Sequence, residues 1–126
     1  MKPKSISKLK KEVWTLFSKY IRNKYADFRG NAACVTCDKT YPIKLLQAGH
    51  FIPGRMNSIL FDERGVFPQC YNCNINLKGN PRKYDHFMER TYGREVIADL
   101  DRLSVQPKHF TVEELESLKE RYKLST

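Results

Sequence analysis

Residues 70–73 read "CYNC", and residues 34–37 read "CVTC". Two intervening residues let both thiolates of a pair turn toward one ion, and two such pairs complete a closed tetrahedral site. Cys34, Cys37, Cys70 and Cys73 are therefore expected to hold a structural zinc ion. A redox Cys-x-x-Cys needs only one pair, set in a thioredoxin-like βαβ unit that this sequence lacks. Nor do disulfides fit. The N-terminus "MKPKSISKLKK" is basic but runs into amphipathic sequence, unlike a secretory signal, so a reduced, cytoplasmic setting is expected. The gap between the pairs, residues 38–69, exceeds the roughly 15–20 residues common between zinc knuckles. It has room for a β-hairpin with a broad loop. The metal framework thus predicts a clamp on a small β region that has little core of its own.

Working outward, Gly and Pro punctuate residues 27–79 into short apolar runs, read as strands at about 43–51 and 58–67. Before this region, residues 5–26 place Leu9, Val13, Leu16, Phe17, Tyr20 and Ile21 at three- and four-residue spacings, the mark of an amphipathic helix with Ser5 as N-cap. After it, "NPRKYDHFMERTYG" at 80–93 predicts a helix with Asn80 as N-cap, Pro81 at the first position and Gly93 as the stop. Residues 94–103 predict another helix. Thr111 and Glu114 form a capping box that opens the last. The expected fold is one α+β domain over 1–126 with a minimal sheet: a basic helix at 5–26, a zinc-stapled core at 32–93 and C-terminal helices over 94–126. No apolar run reaches membrane-spanning length, so no membrane partner is expected.

The net charge of +9 is unevenly placed. Residues 1–30 carry nine Lys/Arg against two acids, residues 31–79 five against three, and residues 80–126 nine against nine. A positive field over the first helix and the cysteine region suits a nucleic-acid partner. On that helix Lys11 and Arg22 are candidate phosphate contacts.

Between the cysteine pairs lies "LLQAGHFIPG", residues 45–54. His50 belongs to neither knuckle and is free for another task. Gly49 before it permits close approach of backbone or ligand. Arg55, Arg64 and Lys78 lie in the same region, and Asn74 follows the last cysteine with an amide oxygen suited to a hard divalent cation. A neutral imidazole can take a proton from water, and cationic side chains can position a phosphodiester.

A histidine-bearing hairpin braced by two Cys-x-x-Cys pairs resembles the HNH (His-Me finger, ββα-metal) nucleases. The segments "CVTC", "AGHFIPG" and "LFDERGVFPQCYNCNINLKGN" are closer still to the phage NinG/Rap recombination endonucleases, over about residues 32–93. The resemblance implies an HNH-like ββα core and a phage-encoded DNA endonuclease acting on branched intermediates such as four-way junctions and D-loops. It makes His50 the general base, Asn74 a ligand of a catalytic Mg²⁺ or Mn²⁺, and Arg55 and Lys78 phosphate contacts. Many HNH nucleases carry an ion ligand just before the histidine, where this chain has Gly49, and an Asn where it has Gly65. The ion would then be held by Asn74 with waters, or by another residue such as Asp62, Glu63 or His86. Symmetric cutting of a junction would call for a homodimer, for which the aromatic face of residues 13–21 is a candidate surface. The alternative reading is a zinc-finger DNA-binding protein without catalysis.

Overall fold

The computed structural model describes residues 4–124; the ends of the expected 1–126 domain, residues 1–3 and 125–126, lie outside the described residues. Two antiparallel ribbons carry the β structure. β1 (Asn31–Ala33) pairs with β2 (Thr40–Pro42), and β3 (Leu46–His50) pairs with β4 (Val66–Cys70). Four helices flank them: α1 (Ile6–Lys24), α2 (Pro81–Tyr92), α3 (Arg94–Ser104) and α4 (Val112–Leu124). The architecture is the expected α+β with a minimal sheet.

The β3–β4 ribbon sits between two helical layers because its side chains alternate between faces. Ala48 and Val66 pack with Phe17 and Ile21 of α1 and Tyr122 of α4. Phe67 faces the other way and packs with Tyr84 and Met88 of α2 and Ile97 and Leu100 of α3. A two-stranded ribbon is marginal alone, so both layers are needed. On α1, Leu9, Val13, Phe17 and Ile21 are fully buried at the spacing that the sequence displays. That buried stripe is covered by its own chain, while Trp14, Leu16 and Tyr20 on its flanks are partly buried.

The helix termini follow the sequence signals. The Ser5 hydroxyl accepts from Lys8 N at 3.1 Å. Thr111 Oγ1 accepts from Glu114 N at 3.1 Å, while Thr111 N donates back to Glu114 Oε1 at 3.2 Å. Asn80 departs from its expected role. It adopts a left-handed conformation, makes no side-chain cap bond, and turns its amide toward Cys73 Sγ at 3.6 Å.

The predicted strand at 58–67 is corrected to 66–70. Ile59 and Leu60 are buried as anchors of the loop between β3 and β4, not as strand residues. Ser58 Oγ donates to Leu103 O at 2.6 Å and Asn57 Nδ2 to Lys108 O at 3.0 Å, tying the loop to the helical layer. The first strand is likewise shorter than 43–51, since Ile43–Leu45 form a 3₁₀ turn. Past β4 the chain makes a single π turn, Asn72–Asn76, and the α-helix starts only at Pro81. Asn74 thus lies in that turn, ahead of α2.

Candidate metal centre and adjoining cationic cleft

The two knuckles meet at the ends of the ribbons. All four cysteine sulfurs lie within 4.8 Å of one another, a spacing that can accept one metal ion between them. Three of the four cysteines are buried. Burial pushes the Cys34 thiol up, but the Thr36 hydroxyl and backbone N–H groups outweigh it and lower the thiol to about 6. The resulting negative charge then joins burial in raising Cys37. A bound cation would relieve that opposition and favour all four thiolates. The set is all sulfur and closed, which fits structural zinc better than a hard cation.

Around the cluster runs a connected frame. The Thr36 hydroxyl lies 3.4 Å from Cys34 Sγ and accepts from Gln69 Nε2 at 3.1 Å. Gln69 Nε2 also donates to the Gly79 carbonyl at 3.0 Å, which fixes the orientation of the amide. Gln69 Oε1 is left as the buried side-chain oxygen without a partner among the described residues. A Cβ on Gly49 would fall 1.9 Å from it. The glycine before His50 therefore has a structural cause: the Gln69 head fills the space that a residue-49 side chain would take. From the opposite side, Tyr84 Oη donates to the Gly49 carbonyl at 2.6 Å. Gly65, the second departure from the HNH pattern, lies beneath Leu100, whose Cδ1 would be 3.3 Å from an added Cβ.

His50 ends β3 and opens onto a cleft of about 590 Å³ that also exposes Trp14, Arg22, Arg55, Asn74 and Lys78. His50 Nε2 donates to the Leu60 carbonyl at 3.0 Å. In the neutral ring this leaves the Nδ1 lone pair as acceptor. Burial lowers the His50 pKa, against the pull of the Leu60 carbonyl and with help from the nearby Arg55 charge. The ring is accordingly neutral near pH 7.

Trp14 stacks on His50 with centroids 5.2 Å apart and planes 18° apart. The Arg55 guanidinium lies 4.3 Å from the Trp14 centroid. Trp14 is the functional neighbour that the sequence reading missed. Its signal was present, as the lone tryptophan of the chain on the flank of the apolar face of α1, but only the fold brings it to His50.

The expected phosphate contacts separate into two groups. Arg22, Arg55 and Lys78 share the His50 cleft, and Lys11 lies in an adjoining groove that also exposes Trp14 and Arg55. Arg64 is elsewhere, bound to Asp62 at 2.7 Å and Asp99 at 2.8 Å. Its charge is consumed internally, so it does not serve the cleft.

The alternative ion ligands are also placed away. Asp62 is engaged by Arg64. Glu63 accepts from Tyr20, Lys24, Arg121 and Tyr122 at 3.0–3.2 Å. His86 lines a different depression. Asn74 remains in the cleft, its Nδ2 donating to Gln47 Oε1 at 2.7 Å. No carboxylate lines the cleft among the described residues. Its side-chain oxygen donors, the amides of Gln47 and Asn74 and the Ser18 hydroxyl, are neutral and suit a hard divalent cation only weakly unless a substrate phosphate joins them.

No helix is long and apolar enough to cross a membrane among the described residues. The family model described as bacteriophage lambda NinG protein matches residues 1–126. No curated protein and no solved structure gives a significant match.

Proposed function

The chain belongs to the bacteriophage lambda NinG family, and on that premise we propose that it is a divalent-metal-dependent DNA endonuclease selective for branched recombination intermediates. The observation that carries the reading is His50: a neutral imidazole with Nε2 tied to Leu60, opening onto a cationic cleft free of carboxylates among the described residues. Such a cleft attracts a phosphodiester and repels nothing that is anionic.

In the proposed reaction Arg22, Arg55 and Lys78 hold the DNA phosphates. His50 Nδ1 takes the proton of the attacking water while the Nε2–H···O=C bond holds the ring and is strengthened as the imidazolium forms. The Trp14 face keeps water from one side of the ring. A Mg²⁺ or Mn²⁺ ion, when bound, would stabilise the charge that develops on the phosphoryl and leaving oxygens. Asn74 would hold it through its amide oxygen. Zinc, held by Cys34, Cys37, Cys70 and Cys73, would fix the 70–80 segment that carries Asn74 and Lys78 against the β3–β4 ribbon.

The absence of a carboxylate in the cleft favours one other reading, a zinc-stabilised DNA-binding protein without catalysis. Incubating wild-type protein with a labelled four-way junction and a linear duplex, in Mg²⁺, Mn²⁺ or EDTA, separates the two. Nicking of the junction that requires the divalent ion supports the nuclease. Tight binding without nicking in any metal supports the binding protein.

A further inference from the structure

Most cations of the C-terminal helices are engaged by carboxylates. Arg94 pairs with Asp85 at 2.9 Å, Arg102 with Asp99, Lys108 with Glu114, and Lys119 with Glu12 at 3.1 Å. Of the exposed cations of α2 that make no ion pair with any described residue, Arg82, Lys83 and Arg90, the last two line a common depression. They share one helical face with His86, since spacings of three and seven residues bring side chains together. The carboxylates of the same helix, Asp85 and Glu89, fall on the other side with Arg94. The even charge count of residues 80–126 thus hides a segregated arrangement.

The Lys83–His86–Arg90 face forms one wall of a second cleft of about 350 Å³. The first knuckle, including Thr36 and Cys37, forms the other wall. Asp38, exposed beside them, is the sole carboxylate lining it among the described residues. The two clefts meet at one corner. Gly79 lines the first and Asn80 the second. Gln69 joins them through its bonds to Gly79 O and Thr36 Oγ1. The corner is conformationally costly: Lys78, Gly79 and Asn80 have φ of 52°, 90° and 49° in succession. Left-handed backbone at two non-glycine residues is strained and must be held by its surroundings. Here it directs Lys78 into one cleft and Asn80 into the other.

We infer that the α2–knuckle cleft is a second phosphate-binding site, which receives the sugar–phosphate backbone of a DNA strand that leaves the His50 cleft across the Gly79–Asn80 corner. Lys83 and Arg90 contact phosphates and His86 adds a donor. Asp38 opposes them and limits the affinity. The inference rests on the nucleic-acid reading above and extends it to a surface outside the proposed catalytic cleft.

The test compares wild type, Lys83→Gln/Arg90→Gln, Asp38→Asn and Arg55→Ala/Lys78→Ala in binding to a four-way junction from 50 to 200 mM salt. Loss of two phosphate contacts lowers the slope of log K against log[salt] by about 1.8, and low-salt affinity by about tenfold. Lys83→Gln/Arg90→Gln is expected to show that change with zinc content and helical circular dichroism intact. Asp38→Asn, in a left-handed position that Asn tolerates, is expected to tighten binding several-fold, which misfolding cannot mimic. Wild-type slope and affinity in both variants, with Arg55→Ala/Lys78→Ala weakened, would overturn the second site alone. Loss of zinc from Lys83→Gln/Arg90→Gln would also overturn it, assigning these cations to balancing the thiolate charge. Wild type that binds no DNA overturns it together with the nucleic-acid reading.

Discussion

His50 takes its character from three neighbours, two in the loop that follows it and one on α1. Leu60 fixes its tautomer, Trp14 covers one face, and Arg55 adds positive charge nearby. Burial and the Arg55 charge both favour the neutral ring. Since the proposed base must be neutral, cleavage should fall as pH drops through a midpoint below the ordinary imidazole value of 6.5. Trp14→Ala would hydrate the ring and free Arg55. The acidic midpoint should then move up toward 6.5, with kcat lowered on the order of 10- to 100-fold by looser positioning. A pH–rate profile checks this, and an unmoved midpoint would assign Trp14 to packing alone. Gly49 makes a separate prediction. In Gly49→Ala the new Cβ meets Oε1, Cδ and Cγ of Gln69 within 3 Å, so the whole amide head must leave its two hydrogen bonds. The variant should lose about 1–3 kcal/mol of stability in urea titration. Shortening the obstacle in Gly49→Ala/Gln69→Ala should cost less than the two single changes added together.

Among the elements, the helices follow local rules and the sequence displays them. Ser5, Pro81, Gly93 and the Thr111–Glu114 box mark ends that the structure keeps to within a residue or two. The strands are less readable. Ile59 and Leu60 look like strand residues because burial demands the same side chains from a loop anchor, and only the bonds of the neighbouring Asn57 and Ser58 to Lys108 and Leu103 separate the cases. The cysteine cluster could be read from spacing alone, since metal ligation leaves a local mark. The Trp14–His50 stack and the removal of Arg64 by Asp62 and Asp99 could not, because each depends on packing between elements far apart in the chain. Glu63 shows how such long-range packing is held. It precedes β4 in a 3₁₀ turn, yet it joins α1 to α4 by accepting from Tyr20, Lys24, Arg121 and Tyr122. Burial raises its pKa, but Lys24, Tyr122 and Tyr20 prevail and lower it below 4.5. A depressed carboxylate pKa contributes stability that is present above the ordinary value and lost as pH falls through the folded one. Glu63→Gln should therefore destabilise the fold by about 1–3 kcal/mol at pH 7, and by progressively less below pH 4.5. Equal destabilisation at pH 7 and pH 3 would contradict the role given to its charge.

Taken together, the molecule is a thin ribbon held by two helical layers and one metal-ready knot of sulfur. The helical layers carry their own apolar cores, whereas the β1–β2 ribbon and the 70–80 turn depend on the four cysteines. Zinc analysis should find one ion per chain, and chelation or Cys70→Ser should sharply lower the melting temperature. An unchanged melting temperature would remove the clamp from the account. Because the proposed catalytic ion has only neutral amide ligands from the protein, Mn²⁺ should bind weakly to the free protein and tightly only with DNA, as read by electron paramagnetic resonance. The most direct measurement is single-turnover cleavage of a labelled four-way junction in Mg²⁺ by zinc-loaded wild type and His50→Ala at equal DNA occupancy. A fall of about 10²- to 10⁴-fold in rate, with junction affinity preserved, is the result expected of a lost general base. Cleavage at the wild-type rate by His50→Ala would contradict the assignment.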